Sequence, residues 1–334
     1  MSGAEPQARA TIEVQGVTYD YPGIRALSGV GFSVAPGSVV AMVGANGAGK
    51  STLLRCMAAL DRPLAGEIRI AGADIFEDSR AAHRLLGYLP DFFGLYDELT
   101  VRQCLVYRAA ALDVEESRQA EAVERAARRM QIDDRMKQRA GELSRGLRQR
   151  LAIAQAIIHE PQVLLLDEPA SGLDPEARVS LAEVLRELRR GGMTIVVSSH
   201  ILAELEDYST HMLILDAGRV VEYSELQGGE AGHGQGPGRA RCLLRLVMAE
   251  PVAGLAARLS AIEDLENVEG EGRIAQAEAP ADPASLHAML KRILDAGLPL
   301  AEFAPLRGSL QDAYIARLQE ERRALASTAQ GGPR

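Results

Sequence analysis

The stretch Val39-Val40-Ala41-Met42-Val43-Gly44-Ala45-Asn46-Gly47-Ala48-Gly49-Lys50-Ser51-Thr52-Leu53-Leu54 decides the fold of this 334-residue chain. Its five leading apolar residues read as a buried strand. They run into a loop with three glycines that ends in Lys-Ser and opens a helix over residues 51–60. The loop fits the pattern G-x-x-x-x-G-K-[ST], in which bare backbone N–H groups wrap phosphate oxygens and the helix N-terminus adds positive potential. Glycine is required because side chains would fill the space of the phosphates. The candidate nucleotide contacts are therefore Gly44, Asn46, Gly47, Gly49, Lys50, Ser51 and Thr52. Lys50 is expected to reach the β and γ phosphates of ATP, and the Ser51 hydroxyl to ligate Mg²⁺.

Strand, loop and helix in that order begin a parallel α/β sheet. Residues 163–166 and 194–197 are two more apolar runs that supply further strands. The first ends in Asp167-Glu168, which would bring Asp167 to a metal and Glu168 to a water. Taken alone, two carboxylates after a strand more often just begin a loop. The second run leads to His200, at the carboxyl edge where ligands bind in such sheets. A lone histidine there reads first as a hydrogen bonder at a helix start. Between the two strands a helix opens at Asp174-Pro175, an N-cap followed by proline, with Leu181, Val184, Leu185 and Leu188 on one face.

Upstream, residues 11–17 and 31–34 alternate apolar and polar between turns at Tyr21-Pro22-Gly23 and Pro36-Gly37, which predicts antiparallel strands. Residues 92–150 read as a helical subdomain, charge-rich over 113–130 and mostly exposed. Six glycines fall between residues 227 and 240, a composition that predicts a flexible linker closing a first domain at residue 226. Beyond it, a strand at 242–248, a helix at 251–262, a strand or hairpin at 268–275, a helix at 283–296 and a strand at 299–306 predict a small α+β domain. A last helix at 309–322 and a disordered tail at 323–334 complete the expectation.

Acidic residues outnumber basic ones, 46 to 37, for a formal charge of −9, and Trp is absent. That balance argues against a basic, base-stacking surface for nucleic acid. Cys56, Cys104 and Cys242 have no paired or metal-like spacing, so neither a disulfide framework nor a zinc site is expected, and a reducing cytosolic compartment fits. Residues 1–10 lack the apolar segment of a secretory signal, and no apolar run approaches the roughly 20 residues of a membrane-spanning helix. Any membrane part is then expected from another chain.

Leu143-Ser144-Arg145-Gly146 lies just upstream of Asp167-Glu168-Pro169-Ala170-Ser171-Gly172-Leu173-Asp174. With the glycine loop and His200 these make five ordered motifs over about residues 11–226, and the chain resembles the ATP-binding subunit of an ABC transporter. The resemblance implies a P-loop NTPase core with an antiparallel β subdomain and a helical subdomain. It implies that Tyr21 stacks on adenine, Glu168 polarises the attacking water and His200 holds the γ-phosphate. Ser144 and Gly146 would meet the γ-phosphate of ATP held by a second cassette, and Asp174 would link the two sites. It also implies a homodimer at the cytoplasmic face of the membrane, attached to a separate permease, with export favoured by a loose likeness of the C-terminal domain to accessory extensions of exporters.

The chain departs from the family pattern in two places. Asp91 stands where Gln is usual; a carboxylate still ligates Mg²⁺ but adds charge and donates nothing when ionised. Arg145 replaces a glycine of the signature and is expected to matter less, because the contacts there come from its neighbours. Two other readings stay open: an ABC-type ATPase of DNA repair or translation, and a slow-hydrolysing regulatory switch. A cluster of cations at Arg125, Arg128, Arg129, Arg135, Lys137, Arg139, Arg145, Arg148 and Arg150 reads as a solvated face, or as a surface for anionic lipid or an acidic partner loop.

Overall fold

The computed structural model describes residues 11–199, 205, 208–226, 241–280 and 282–306. Contacts divide the chain into two compact units, residues 1–229 and 230–334.

The first unit opens with a hairpin of β1 (Ile12–Tyr21) and β2 (Ile24–Val34). Tyr21 pairs with Ile24 across the two-residue turn Pro22-Gly23, where Gly23 takes a φ of 79°. β4 (Ala65–Ile70) and β5 (Ala73–Asp74) complete an antiparallel sheet of order β2-β1-β4-β5. Both opening strands extend further than the alternation of residues 11–17 and 31–34 suggested, because pairing along the hairpin continues through polar positions.

The second sheet holds β3 (Val39–Val43), β6 (Leu86–Leu89), β7 (Val163–Asp167), β8 (Thr194–Ser199), β9 (His211–Asp216) and β10 (Arg219–Glu225), in the order β10-β9-β3-β8-β7-β6. All its pairings are parallel except β9 with β10. Every residue of β3, β7 and β8 is buried, as expected for parallel strands covered on both faces. Register places Val43 beside Ser199, Ser198 beside Asp167, and Leu166 beside Leu89. Four parallel strands therefore end at one level, and the loops that follow them share one edge of the sheet.

Helix α1 (Lys50–Met57) buries Leu53, Leu54, Cys56 and Met57 in one core with Ile12, Val14, Ile68 and Ile70 of the antiparallel sheet and Val40, Met42 and Leu165 of the parallel one. Truncating Leu54 there would cost about 2–5 kcal/mol. The helix stops short of residue 60, since Ala59 has turned to a φ of 54°.

After α2 (Ser79–Leu85), the helical region contains α3 (Val101–Ala111), α4 (Glu116–Arg129) and α5 (Arg145–Ile157), followed beyond β7 by α6 (Pro175–Arg190). Thr100 and Gln103 form a reciprocal capping box at α3. α4 buries only Ala122, Val123, Ala126 and Ala127, which leaves its charged face outside. Four of the nine cations of the cluster are paired locally: Arg125 with Glu121 and Glu160, Arg135 with Asp134, Arg139 with Glu98, and Arg148 with Asp97. Such pairs contribute about 0–1 kcal/mol each where they face solvent.

The second unit is an antiparallel sheet of order β12-β13-β11-β14, built from β11 (Arg241–Met248), β12 (Glu266–Glu271), β13 (Ile274–Pro280) and β14 (Leu300–Leu306). Leu244, Leu246 and Met248 alternate into its core, against Leu255 and Leu259 of α7 (Leu255–Ser260) and Met289 and Ile293 of α8 (Pro283–Asp295). The helix expected over 251–262 is shorter, because Gly254 sits left-handed before its first turn. The segment 268–275 is the middle of a hairpin that turns at Gly272, with a φ of 67°. The expected linker at 227–240 and the helix and tail beyond 306 lie outside the described residues.

Candidate functional site

The glycine loop leaves β3 and meets α1 at Gly49, whose φ of 104° is closed to other residues in practice; a Cβ there would lie 2.7 Å from the Ala26 carbonyl oxygen. Ala45, Asn46, Gly47 and Ser51 face solvent while Lys50 is buried, 7% exposed. The Lys50 ammonium donates to the carbonyls of Gly44 at 2.7 Å and Ala45 at 3.3 Å. Burial lowers its pKa, and the charges of Glu168 and Asp167 act in the opposite direction. A desolvated cation hydrogen-bonded to two loop carbonyls, beside bare amides and a helix N-terminus, is complementary to a polyphosphate.

Two strands away, Asp167 ends β7 with 4% exposure, and Glu168 follows at a φ of 50°. Ser198 of β8 lies between them. Its hydroxyl donates to Asp167 Oδ1 at 2.6 Å and accepts the Glu168 amide at 3.0 Å; the Ser198 carbonyl accepts the same amide at 3.2 Å. The left-handed backbone at Glu168 is thus fixed by a buried partner. Tyr88 of β6 is kept neutral nearby: burial first, then the Asp167 charge, push it up to about 12. Asp91 stands exposed just past the end of β6, the strand paired with β7.

Ser51 and Asp167 offer a hydroxyl and a carboxylate suited to a hard cation beside the loop, with Asp91 at the neighbouring strand end. Among the described residues no cluster of three His, Cys, Asp or Glu side chains forms a separate metal site. Tyr21 closes β1 and is 41% exposed, edge-on to Tyr19 at 5.0 Å and with its hydroxyl 3.4 Å from Thr52 Oγ1, so it borders the first turn of α1. His200 follows β8 but lies outside the described residues.

Ser144 and Gly146 occupy a different place, the start of α5. Ser144 is the N-cap, accepting the Leu147 amide at 3.4 Å, and it is exposed. Among the described residues no hydrogen bond joins either of them to the glycine loop. Asp174 caps α6 by accepting the Ala177 amide at 2.8 Å. The site is therefore brought together in one part, residues 44–52 with 167–168, and left open in another. Ser198 was not singled out from sequence, although two serines closing an otherwise apolar strand were a signal for it.

A buried lysine in a glycine loop, with an acidic strand end at the same edge of a parallel sheet, defines a P-loop nucleotide triphosphatase. The ABC transporter family profile matches residues 27–171. The Nod factor export ATP-binding protein I of Rhizobium sp. (strain N33) is 34% identical over 212 residues, 64% of this chain and 70% of that protein. Its counterpart in Rhizobium meliloti (strain 1021) is 36% identical, over 66% of this chain and 65% of its own. The daunorubicin resistance ATP-binding protein DrrA3 of Streptomyces coeruleorubidus is 29% identical over 316 residues, 95% of this chain and 98% of that one. A solved ATP-binding subunit of an ABC transporter superposes with a TM-score of 0.58 at 33% identity, covering 65% of this chain and 90% of its own. The chain belongs to the ABC transporter family and is an ATP-binding cassette, an ATPase.

Proposed function

We propose that this chain is the ATPase subunit of an exporter, binding ATP with Mg²⁺ and pairing with a second copy of itself around two nucleotides. It drives a separate membrane-spanning permease from the cytoplasmic face of the membrane. The observation that carries the reading is the meeting of Lys50, Asp167 and Glu168 at one edge of the parallel sheet, with Ser198 bonded to both acidic residues. Export is favoured because the relatives above are named for Nod factor export and daunorubicin resistance. A separate permease fits a chain in which no helix, among the described residues, is long and apolar enough to cross a membrane.

In this reading Lys50 exchanges its carbonyl partners for the β and γ phosphate oxygens, and the amides of residues 44–51 wrap the phosphates. Tyr21 stacks on adenine. Ser51 and Asp167 would hold Mg²⁺, with Asp91 beside them. When bound, the metal neutralises charge that builds on the phosphate oxygens. Glu168 orients the attacking water and takes its proton, and His200 steadies the γ-phosphate. Ser144 and Gly146 reach the γ-phosphate held by the partner subunit, while Asp174 links the two sites across the dimer.

Phosphate release by the purified chain tests this, with Glu168→Gln as the control. The reading expects Mg²⁺-dependent turnover that falls about a hundredfold or more in the variant. A wild type as inactive as Glu168→Gln would make the chain a nucleotide switch instead. Isolation from cells without any membrane-spanning partner would overturn the transport role.

A further inference from the structure

We propose that Arg145 is a positioning residue that clamps the loop from Glu168 to Asp174, so that contact at the start of α5 is felt at Glu168. The clamp itself is a matter of geometry. Its use in catalysis rests on the ATPase reading above.

The Arg145 guanidinium packs against this loop, with Nη2 donating to the Ser171 carbonyl at 2.9 Å. Gly172 makes that approach possible. A Cβ at position 172 would sit 2.4 Å from Arg145 Cζ and Nη2 and 2.6 Å from Nη1, so any side chain there would displace the guanidinium. Gly172 also has a φ of 67°, which a side chain would strain. Below the clamp the loop is bonded to itself: the Ser171 amide donates to the Glu168 carbonyl at 3.1 Å and the Leu173 amide to Ala170 at 3.2 Å. A short path therefore runs from Arg145 through Ser171 to Glu168, whose own amide is fixed by Ser198.

On its other side Arg145 is the first residue of α5, between Ser144 and Gly146. At Gly146 the helix comes so near α6 that a Cβ would be 3.1 Å from that of Ala177. The start of α5, the start of α6 and the loop between β7 and α6 thus form one contiguous contact, and Arg145 is its polar fastening. The glycine usual at this position of the signature has no side chain to reach Ser171. Arg145 consequently matters more than its place between two phosphate contacts suggested.

The test uses the full chain, wild type beside Arg145→Gly, Gly172→Ala and the double variant. Hydrogen exchange of the nucleotide-free protein reads the clamp without reference to catalysis. Amides of residues 171–173 are expected to exchange about fivefold faster in Arg145→Gly, the equivalent of one hydrogen bond, with global melting unchanged. In turnover, Arg145→Gly is expected to lower kcat about fivefold at unchanged KM, and the double variant to be no slower than Gly172→Ala, which already displaces the guanidinium. Unchanged exchange overturns the clamp even if the protein is an active ATPase. A raised KM with unchanged kcat, or additive effects in the double variant, overturns the positioning role and puts the guanidinium on a phosphate instead. Accelerated exchange in a protein without any turnover supports the clamp and defeats the ATPase reading alone.

Discussion

The Ser198 hydroxyl donates to Asp167 Oδ1 at 2.6 Å while it accepts the amide of the next residue, Glu168. One buried hydroxyl on β8 thus sets both the carboxylate assigned to the metal and the backbone of the residue assigned to the water. Ser198→Ala is expected to lower ATP turnover about tenfold or more and stability by about 1–3 kcal/mol, since a hydrogen bond to an ionised group is lost in the interior. Steady-state hydrolysis and urea unfolding measure the two effects, and unchanged turnover in a folded variant denies Ser198 a part in hydrolysis.

The three loop glycines should separate into two kinds. A Cβ at Gly44 would lie 2.4 Å from the Leu215 carbonyl oxygen, and at Gly49 2.7 Å from that of Ala26, whereas at Gly47 nothing lies within 4 Å. Gly44→Ala and Gly49→Ala are expected to destabilise by about 3 kcal/mol or more, through overpacking against backbone. Gly47→Ala carries only the strain of its φ of 83°, about 1 kcal/mol, and keeps the fold. Thermal melting distinguishes them, and equal losses at all three positions contradict the packing.

Lys50 gives a pH signature. Burial depresses its pKa in the empty protein, and bound phosphates restore it. ATP binding is therefore expected to take up protons at alkaline pH, with affinity falling as pH rises through the depressed value. Titration calorimetry in two buffers of different ionisation enthalpy detects this uptake, and none at alkaline pH contradicts it. For folding the sign is opposite to that of a stabilised cation. The unfolded lysine holds its proton more tightly than the folded one, so the cost of burying the charge is present below the folded pKa and relieved as pH rises through it.

Asp91 is assigned to the neighbourhood of the metal. Asp91→Ala is expected to raise the Mg²⁺ concentration for half-maximal turnover about threefold to tenfold, and Asp91→Gln to change it less. A magnesium titration of turnover that is identical in wild type and Asp91→Ala removes Asp91 from the metal's surroundings.

What the sequence reveals follows the range of the interactions involved. The glycine loop, the strand into Asp167 and the capped start of α6 are local, and spacing and residue type suffice to place them. Strand order is not local: β8 enters between β3 and β7, and that insertion makes Ser198 a neighbour of Asp167. Arg145 and Ser171 are 26 residues apart, and nothing in either segment alone announces their bond. In the second unit, the segment 268–275 reads from sequence as a strand or a hairpin, and the structure settles it as a hairpin through the turn at Gly272, whose φ of 67° favours glycine.

In the proposed mechanism Lys50 and Ser51 build half of a site, completed by Ser144 and Gly146 of a second copy. Analytical ultracentrifugation of Glu168→Gln with Mg²⁺ and ATP tests it most directly, because slowed hydrolysis preserves the closed state. The 35.8 kDa chain is expected to double in mass with ATP and return to monomer with ADP, and adding Ser144→Arg is expected to abolish the doubling. A Glu168→Gln chain that binds ATP at Lys50 yet remains monomeric at saturation would contradict it.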